Sequence, residues 1–221
     1  MEIDHCLFPD DLLYDVENNT WLRLEKNGRV TVGVTSILST IAGRLVRTNL
    51  KQIGDSIEKG QSLGTLESEK FVGPVPSPVT GVVVDINHNN ANSPKTINVS
   101  PYDHGWIARL NPTSPATEIP LLTGARDSRM LLAQKIAQLH VRCFKAFPDR
   151  EMYEIGTECT AVLVRLNEQI TTMSVGDVVH LVSDDPTAYV EMLAWSDRTG
   201  HVLVDWRREG NLYHFIVRKM R

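Results

Sequence analysis

The chain has 221 residues, 42% hydrophobic and 23% charged, with a net charge of −4, a composition that suits one large or two ordinary globular domains. This balance argues against a nucleic-acid surface, which needs clustered Lys and Arg, and the basic end Arg218-Lys219-Met220-Arg221 is too short to supply one. No segment approaches the roughly twenty apolar residues of a membrane span. The N-terminus carries Glu2, Asp4, Asp10 and Asp11 in place of a basic, then apolar, signal sequence, so a cytoplasmic location is expected.

Residues 1 to about 11 read as a loose lead-in. Trp21 to Leu24 and Val30 to Val34 are predicted strands, joined by the turn Lys26-Asn27-Gly28. Thr35-Ser36 caps a short helical turn through Ile37, Leu38 and Ile41, closed by Gly43. Leu45 to Arg47 and Ser62 to Glu67 are further strands, with a turn at Gly54-Asp55 between them. An acidic segment with one lysine, Glu67-Ser68-Glu69-Lys70, then leads into Val72-Gly73-Pro74-Val75-Pro76 and the strand Val82 to Ile86. A lysine at the tip of such a hairpin projects into solvent from a rigid backbone, which suits covalent modification. Asn87 to Asn92 reads as a polar loop and Gly105 to Leu110 as the last strand of this half. Many short strands punctuated by Gly and Pro indicate a β-sandwich or barrel.

Asn111-Pro112-Thr113-Ser114-Pro115-Ala116-Thr117 is a polar connector. Beyond it, Leu132, Ile136, Leu139 and Cys143 recur at helical spacing, predicting an amphipathic helix between Arg126 and Ala146. The final residues read βαβαββ: a strand at Met152 to Ile155, a helix that Gly156-Thr157-Glu158-Cys159 opens and that runs to about Thr172, and a strand at Val178 to Val182. A helix that Asp185 caps, with Pro186 at its first position, then runs to about Arg198, and strands follow at Val202 to Trp206 and Leu212 to Val217. That order describes a two-layer α/β sandwich. The expected domains are 1–147, with the helix trailing, and 148–221.

Cys6, Cys143 and Cys159 are widely separated, odd in number and without paired spacing. Such a pattern is neither a disulfide framework nor a cysteine-based zinc knuckle, and three separate thiols are expected. His140 and Cys143 could share a helix face, but two ligands do not make a zinc site, and no metal is expected. His88, His104, His180 and His214 show no ligand spacing. No nucleophile elbow, P-loop or dinucleotide fingerprint occurs, so no active site for substrate turnover is identified.

Glu67-Ser68-Glu69-Lys70 followed by Pro78-Val79-Thr80-Gly81 resembles the lipoyl-lysine hairpin of the glycine cleavage H-protein family. The segments Arg29-Val30-Thr31-Val32-Gly33-Val34-Thr35 and Pro101-Tyr102-Asp103-His104-Gly105-Trp106 are similar to that family's strand and closing motif, in the same order. The resemblance implies a flattened mainly-β fold and covalent lipoate on Lys70, with Glu67, Ser68 and Glu69 recognised by a lipoate-attaching enzyme. Asn19-Thr20 stands where the family has a His-Glu pair, and Phe71 where it has a small residue.

The last seventy or so residues resemble sulfur-carrier proteins of the TusA/SirA type. Gly156-Thr157-Glu158-Cys159 matches the start of that family's Gly-x-x-Cys-Pro-x-Pro signature, whereas Thr160-Ala161-Val162 departs from it. The resemblance implies a persulfide-carrying thiol at Cys159. A thiol at a helix N-terminus is expected to have a lowered pKa, because unpaired N–H groups favour the thiolate.

Together these readings lead to a lipoyl carrier that moves a thiol-bound cargo, namely sulfur, in cooperation with the fused domain. Its expected partners are heterodisulfide-reductase-like or other sulfur-transfer proteins. One alternative is an H-protein carrying an aminomethyl group among the glycine cleavage enzymes. Another, from a different class, is a binding module that is never lipoylated.

Overall fold

The computed structural model describes residues 1–221, which divide into two compact units, residues 1–143 and 144–221. The first unit opens with a hairpin, β1 (Glu2–Ile3) and β2 (Cys6–Leu7), where a loose lead-in was expected. Asp4 and His5 turn the chain at φ 47° and 66°, and Ile3, Cys6 and Phe8 are buried. The expectation failed because this two-residue turn breaks the apolar spacing into pieces too short to show a period.

Strands β3 (Leu13–Asp15), β4 (Thr20–Leu24) and β5 (Val30–Val34) form an antiparallel meander. Helix α1 (Ser36–Ala42) follows, then β6 (Leu45–Leu50), β7 (Ser56–Ile57), β8 (Ser62–Ser68), β9 (Val72–Pro76) and β10 (Gly81–Ile86). The expected polar loop, Asn87 to Asn92, contains a short helix, α2 (Asn89–Asn92), and a second, α3 (Lys95–Val99), follows it. Next come β11 (Ala108–Pro112), α4 (Pro115–Glu118), β12 (Thr123–Gly124) and α5 (Arg129–Gln138). A seven-stranded sheet has the order β12-β3-β4-β5-β11-β10-β7, and a three-stranded sheet the order β6-β8-β9.

Strand alternation assigns the core. Leu22, Val30, Val32 and Val83 from the larger sheet join Leu63, Leu66 and Val75 from the smaller one in a single cluster, so this half is a sandwich. Trp21, one position from Leu22, joins a second cluster with Tyr14, Ile37, Leu132 and Ile136. Trp21 lies opposite Gly33, where any Cβ would collide with the indole.

Helix α5 is shorter than the apolar spacing predicts. It ends at Gln138, and His140 adopts φ 50°, so Leu139 and Cys143 do not continue its face. Burial of Val141 and Cys143 decided this, over a spacing that fits a helix.

The second unit comprises β13 (Arg150–Glu154), α6 (Cys159–Thr171), β14 (Val178–Ser183), α7 (Ala188–Thr199), β15 (Val202–Glu209) and β16 (Leu212–Arg218). The sheet order β13-β14-β16-β15 has only the β13–β14 pair parallel, as the βαβαββ reading requires. Both helices cover one face, packing Leu166, Ile170, Met192 and Trp195 on Val179, Leu181, Phe215 and Val217. Helix α7 starts at Ala188, later than expected, because the Asp185 carboxylate accepts the Thr187 N–H and hydroxyl and holds Pro186 outside the helix. Phe144 and Ala146 pack with Val178 and Ile216 of this unit, so it begins four residues before the expected boundary at 148.

Candidate functional site

Lys70 stands exposed in the turn between β8 and β9. Three hydrogen bonds fix this turn: Ser68 N–H donates to the Phe71 carbonyl (2.8 Å), Lys70 N–H to Ser68 Oγ (3.2 Å), and Ser68 Oγ–H to the Ala42 carbonyl (2.6 Å). The last of these ties the turn to the C-terminus of α1, where helix carbonyls lack intrahelical partners. Gly43 closes that helix at φ 67°, and a Cβ built there would lie 2.5 Å from Lys70 Cε. The lysine stem therefore lies along a gap that only glycine leaves open.

The floor beneath this turn is held by Asn98, which is buried. Its Oδ1 accepts the Leu45 N–H, and its Nδ2 donates to the carbonyls of Ser39 and Gly43, each at 2.9 Å. Phe71 packs partly into the core and covers Gly73, while Val72 stays exposed. Glu69 is exposed, and Glu67 lies 3.5 Å from Arg47 in an ion pair worth little at such a surface. The four residues singled out in the sequence thus form one turn: Ser68 braces it, and Lys70 leaves it over Gly43. Gly43 was readable as the residue closing α1, but its place under the Lys70 stem was not, and Ala42 and Asn98 carried no sequence signal, since they act through a backbone carbonyl and distant contacts.

Cys159 begins α6, as expected, yet it is only 6% exposed and joins the apolar cluster under the helices. Burial pushes its thiol pKa up to about 11, and the charges of Asp185 and Glu191 add to the rise. This corrects the expected lowering: the helix terminus is present, but Asp185 occupies it, accepting the Cys159 N–H at 2.8 Å. Asp184 likewise accepts the Gly156 N–H at 2.8 Å. Hydrogen bonds from Thr187 and Cys159 hold the Asp185 carboxyl below its ordinary pKa, so it stays anionic beside the sulfur.

The expectation of three separate thiols is also corrected. Cys6 and Cys143 form a disulfide across a sequence separation of 137, and Cys159 alone is a free thiol. Paired cysteines so far apart leave no spacing to recognise. His180 and His214, also unconnected in sequence, meet with Nε2 and Nδ1 2.9 Å apart on the sheet face away from the helices, where the Phe144 ring lies 4.7 Å from that of His180, tilted by 49°. His140 lies beyond the end of α5, so it shares no helix face with Cys143. No group of three or more metal-ligating side chains occurs, and no helix is long and apolar enough to cross a membrane.

Residues 12–134 match the family described as glycine cleavage H-protein, and residues 154–219 match the family described as sulfurtransferase TusA. Glycine cleavage system H protein 3 of Aquifex aeolicus is 43% identical over 116 residues, covering 52% of this chain and 72% of that protein. H protein 5 of the same organism is 36% identical over 146 residues, 64% of this chain and 98% of that one. A probable glycine cleavage system H protein 2 of Saccharolobus solfataricus is 36% identical over 141 residues, 63% of this chain and 95% of that protein. Among solved structures, an H protein from Mycobacterium marinum superposes with TM-score 0.50 at 27% identity, covering 61% of this chain and all of that one. The chain belongs to the glycine cleavage H-protein family, a family of lipoate-bearing carriers, and joins that domain to a C-terminal TusA-type domain.

Proposed function

We propose that Lys70 is the lipoate attachment site and that the protein is a carrier of thiol-bound sulfur, exchanged in cooperation with its TusA-type unit. The observation that carries the reading is the exposed Lys70 on a turn braced by Ser68 against α1, with its stem over Gly43. The turn supplies what a swinging arm requires, a rigid base and an exposed lysine. When attached, lipoate supplies a disulfide that opens to two thiols. Glu67, Ser68 and Glu69 form the surface that a lipoate-attaching enzyme reads. Cys159 is the thiol to which sulfur passes in the second unit. Burial keeps its thiol protonated, with the charges of Asp185 and Glu191 adding to the effect, so it is the slower of the two sulfur centres. The partners consistent with this reading are heterodisulfide-reductase-like or other sulfur-transfer proteins.

A second reading, favoured by the names of the relatives, is aminomethyl transfer among glycine cleavage enzymes. Two experiments separate the possibilities. Protein expressed with lipoate and a lipoate-attaching enzyme is analysed by intact and peptide mass spectrometry, and a lipoyl adduct on Lys70 is expected. An unmodified Lys70, where a control H-protein is modified, overturns both readings in favour of a binding module. Persulfide loading followed by trapping at Lys70-lipoyl and Cys159, beside a glycine-exchange assay with cleavage enzymes, then decides the cargo.

A further inference from the structure

The Cys6–Cys143 disulfide takes no part in the carrier reading, although it lies close to the modified turn along the chain's own elements. Cys143 Sγ sits 3.7 Å from Thr40 Oγ1 on α1. Gly43, under the Lys70 stem, donates its N–H to the Thr40 carbonyl, so the two positions are one helical turn apart, about 4.5 Å along the axis. The disulfide and the base of the arm therefore share the last turn of one short helix.

The two sulfurs differ in access. Cys6 is fully buried within the β1–β2 hairpin, whereas Cys143 is 8% exposed in the segment after α5. That segment is anchored by Val141, whose N–H donates to the Ile136 carbonyl. Both are buried and Cys143 is the less so, which assigns the attack to Cys143 and leaves Cys6 as the leaving sulfur. In the opposite direction, the Thr40 hydroxyl beside Cys143 Sγ is placed to donate a hydrogen bond to that sulfur once the bond is open, which assigns the role of nucleophile to Cys143.

We infer that the Cys6–Cys143 disulfide exchanges electrons with the dithiol carried on Lys70, an internal thiol–disulfide exchange that rests on Lys70 bearing lipoate. The balance is complete within the molecule. The Cys6–Cys143 bond breaks, the dithiol closes to its cyclic disulfide, and two electrons and two protons pass to the sulfurs of Cys6 and Cys143. Attachment one helical turn away raises the effective concentration of the dithiol at Cys143 to the millimolar range typical of short tethers. A disulfide that served only as a staple would not depend on the arm.

The test compares full-length oxidised protein bearing lipoyl on Lys70 with the same protein bearing octanoyl there, which has the chain length but no sulfur. Each receives one equivalent of a phosphine reductant, is quenched in denaturant with N-ethylmaleimide, and is read by peptide mass spectrometry at Cys6 and Cys143. At least tenfold faster labelling of both cysteines in the lipoylated form, at a rate independent of protein concentration, is expected. Equal rates in the two forms, with opening of the lipoyl ring confirmed by mass, overturn the inference and leave the carrier reading standing. A rate proportional to protein concentration also overturns it. Failure to obtain any lipoyl adduct on Lys70 overturns the carrier reading and the exchange with it.

Discussion

The Ser68 hydroxyl donates a 2.6 Å hydrogen bond to the Ala42 carbonyl, joining the lysine-bearing turn to the end of α1. Ser68→Ala removes this bond and the acceptor for Lys70 N–H. The cost expected is about 1 kcal/mol of stability and a several-fold slower attachment of lipoate to Lys70. Denaturant unfolding and time-resolved intact mass measure the two effects, and Ser68→Thr, which keeps the hydroxyl, restores most of the attachment rate.

Gly43 holds φ 67° with Lys70 Cε against it. Gly43→Ala incurs roughly 1–3 kcal/mol of backbone strain, because φ 67° with ψ −168° is a region that side chains essentially never adopt, and drives the lysine stem from its gap. A loss of lipoylation rate larger than that of Ser68→Ala is expected, and a rate equal to wild type in the same assay refutes the role given to Gly43.

Asn98 makes three buried hydrogen bonds that join Ser39, Gly43 and Leu45. Asn98→Ala leaves two carbonyls and one N–H without that partner, and a loss of about 2–4 kcal/mol is expected in urea unfolding. Asn98→Asp keeps the acceptor for Leu45 N–H but faces both carbonyls with an anion, and is expected to fare no better.

Cys159 titrates near pH 11 in the folded chain, above its ordinary value of 9.0. Its alkylation rate is therefore expected to rise about tenfold per pH unit from pH 7 toward that value. The thiol form is the one the fold favours, so its contribution to stability is full below pH 9 and is lost as pH climbs through the range from 9 to 11. Asp185→Asn keeps an acceptor for the Cys159 N–H but removes the adjacent charge, and faster alkylation at pH 7 than in wild type is expected. Iodoacetamide kinetics against pH check both statements.

Reduction of the Cys6–Cys143 bond frees a loop closed across 137 residues. A loss of about 4–5 kcal/mol is expected on loop-closure grounds, read as a lowered melting temperature of the first unit. Cys6→Ser and Cys143→Ser should each reproduce it, and reduction should change neither variant further.

What the sequence made legible was local. The Glu67-Ser68-Glu69-Lys70 turn, the βαβαββ order and the start of α6 at Cys159 depend on neighbours within a few residues. Long-range partnerships left no trace. His180 pairs with Ile216 and His214 with Val182, so the two rings meet only diagonally, through a register fixed by the whole of β14 and β16. The helix dipole at Cys159 was readable, but the apolar shell and the Asp185 cap that override it belong to α7 and the loop before it. The same holds for the N-terminal hairpin: Ile3, Cys6 and Phe8 are core because α5 and the residues after it cover them, not because of any pattern of their own.

The bond between Cys6 and Cys143 turns the first unit into a covalent ring containing Lys70. A protease that cuts once inside that ring, anywhere from Leu7 to Arg142, opens the circle without parting the molecule. The cut fragments then migrate together until a reductant is added, and the piece bearing Lys70 stays physically joined to the chain that continues at Phe144. Backbone damage to the H-protein domain thus leaves Lys70 and the TusA-type unit one molecule for as long as the disulfide persists.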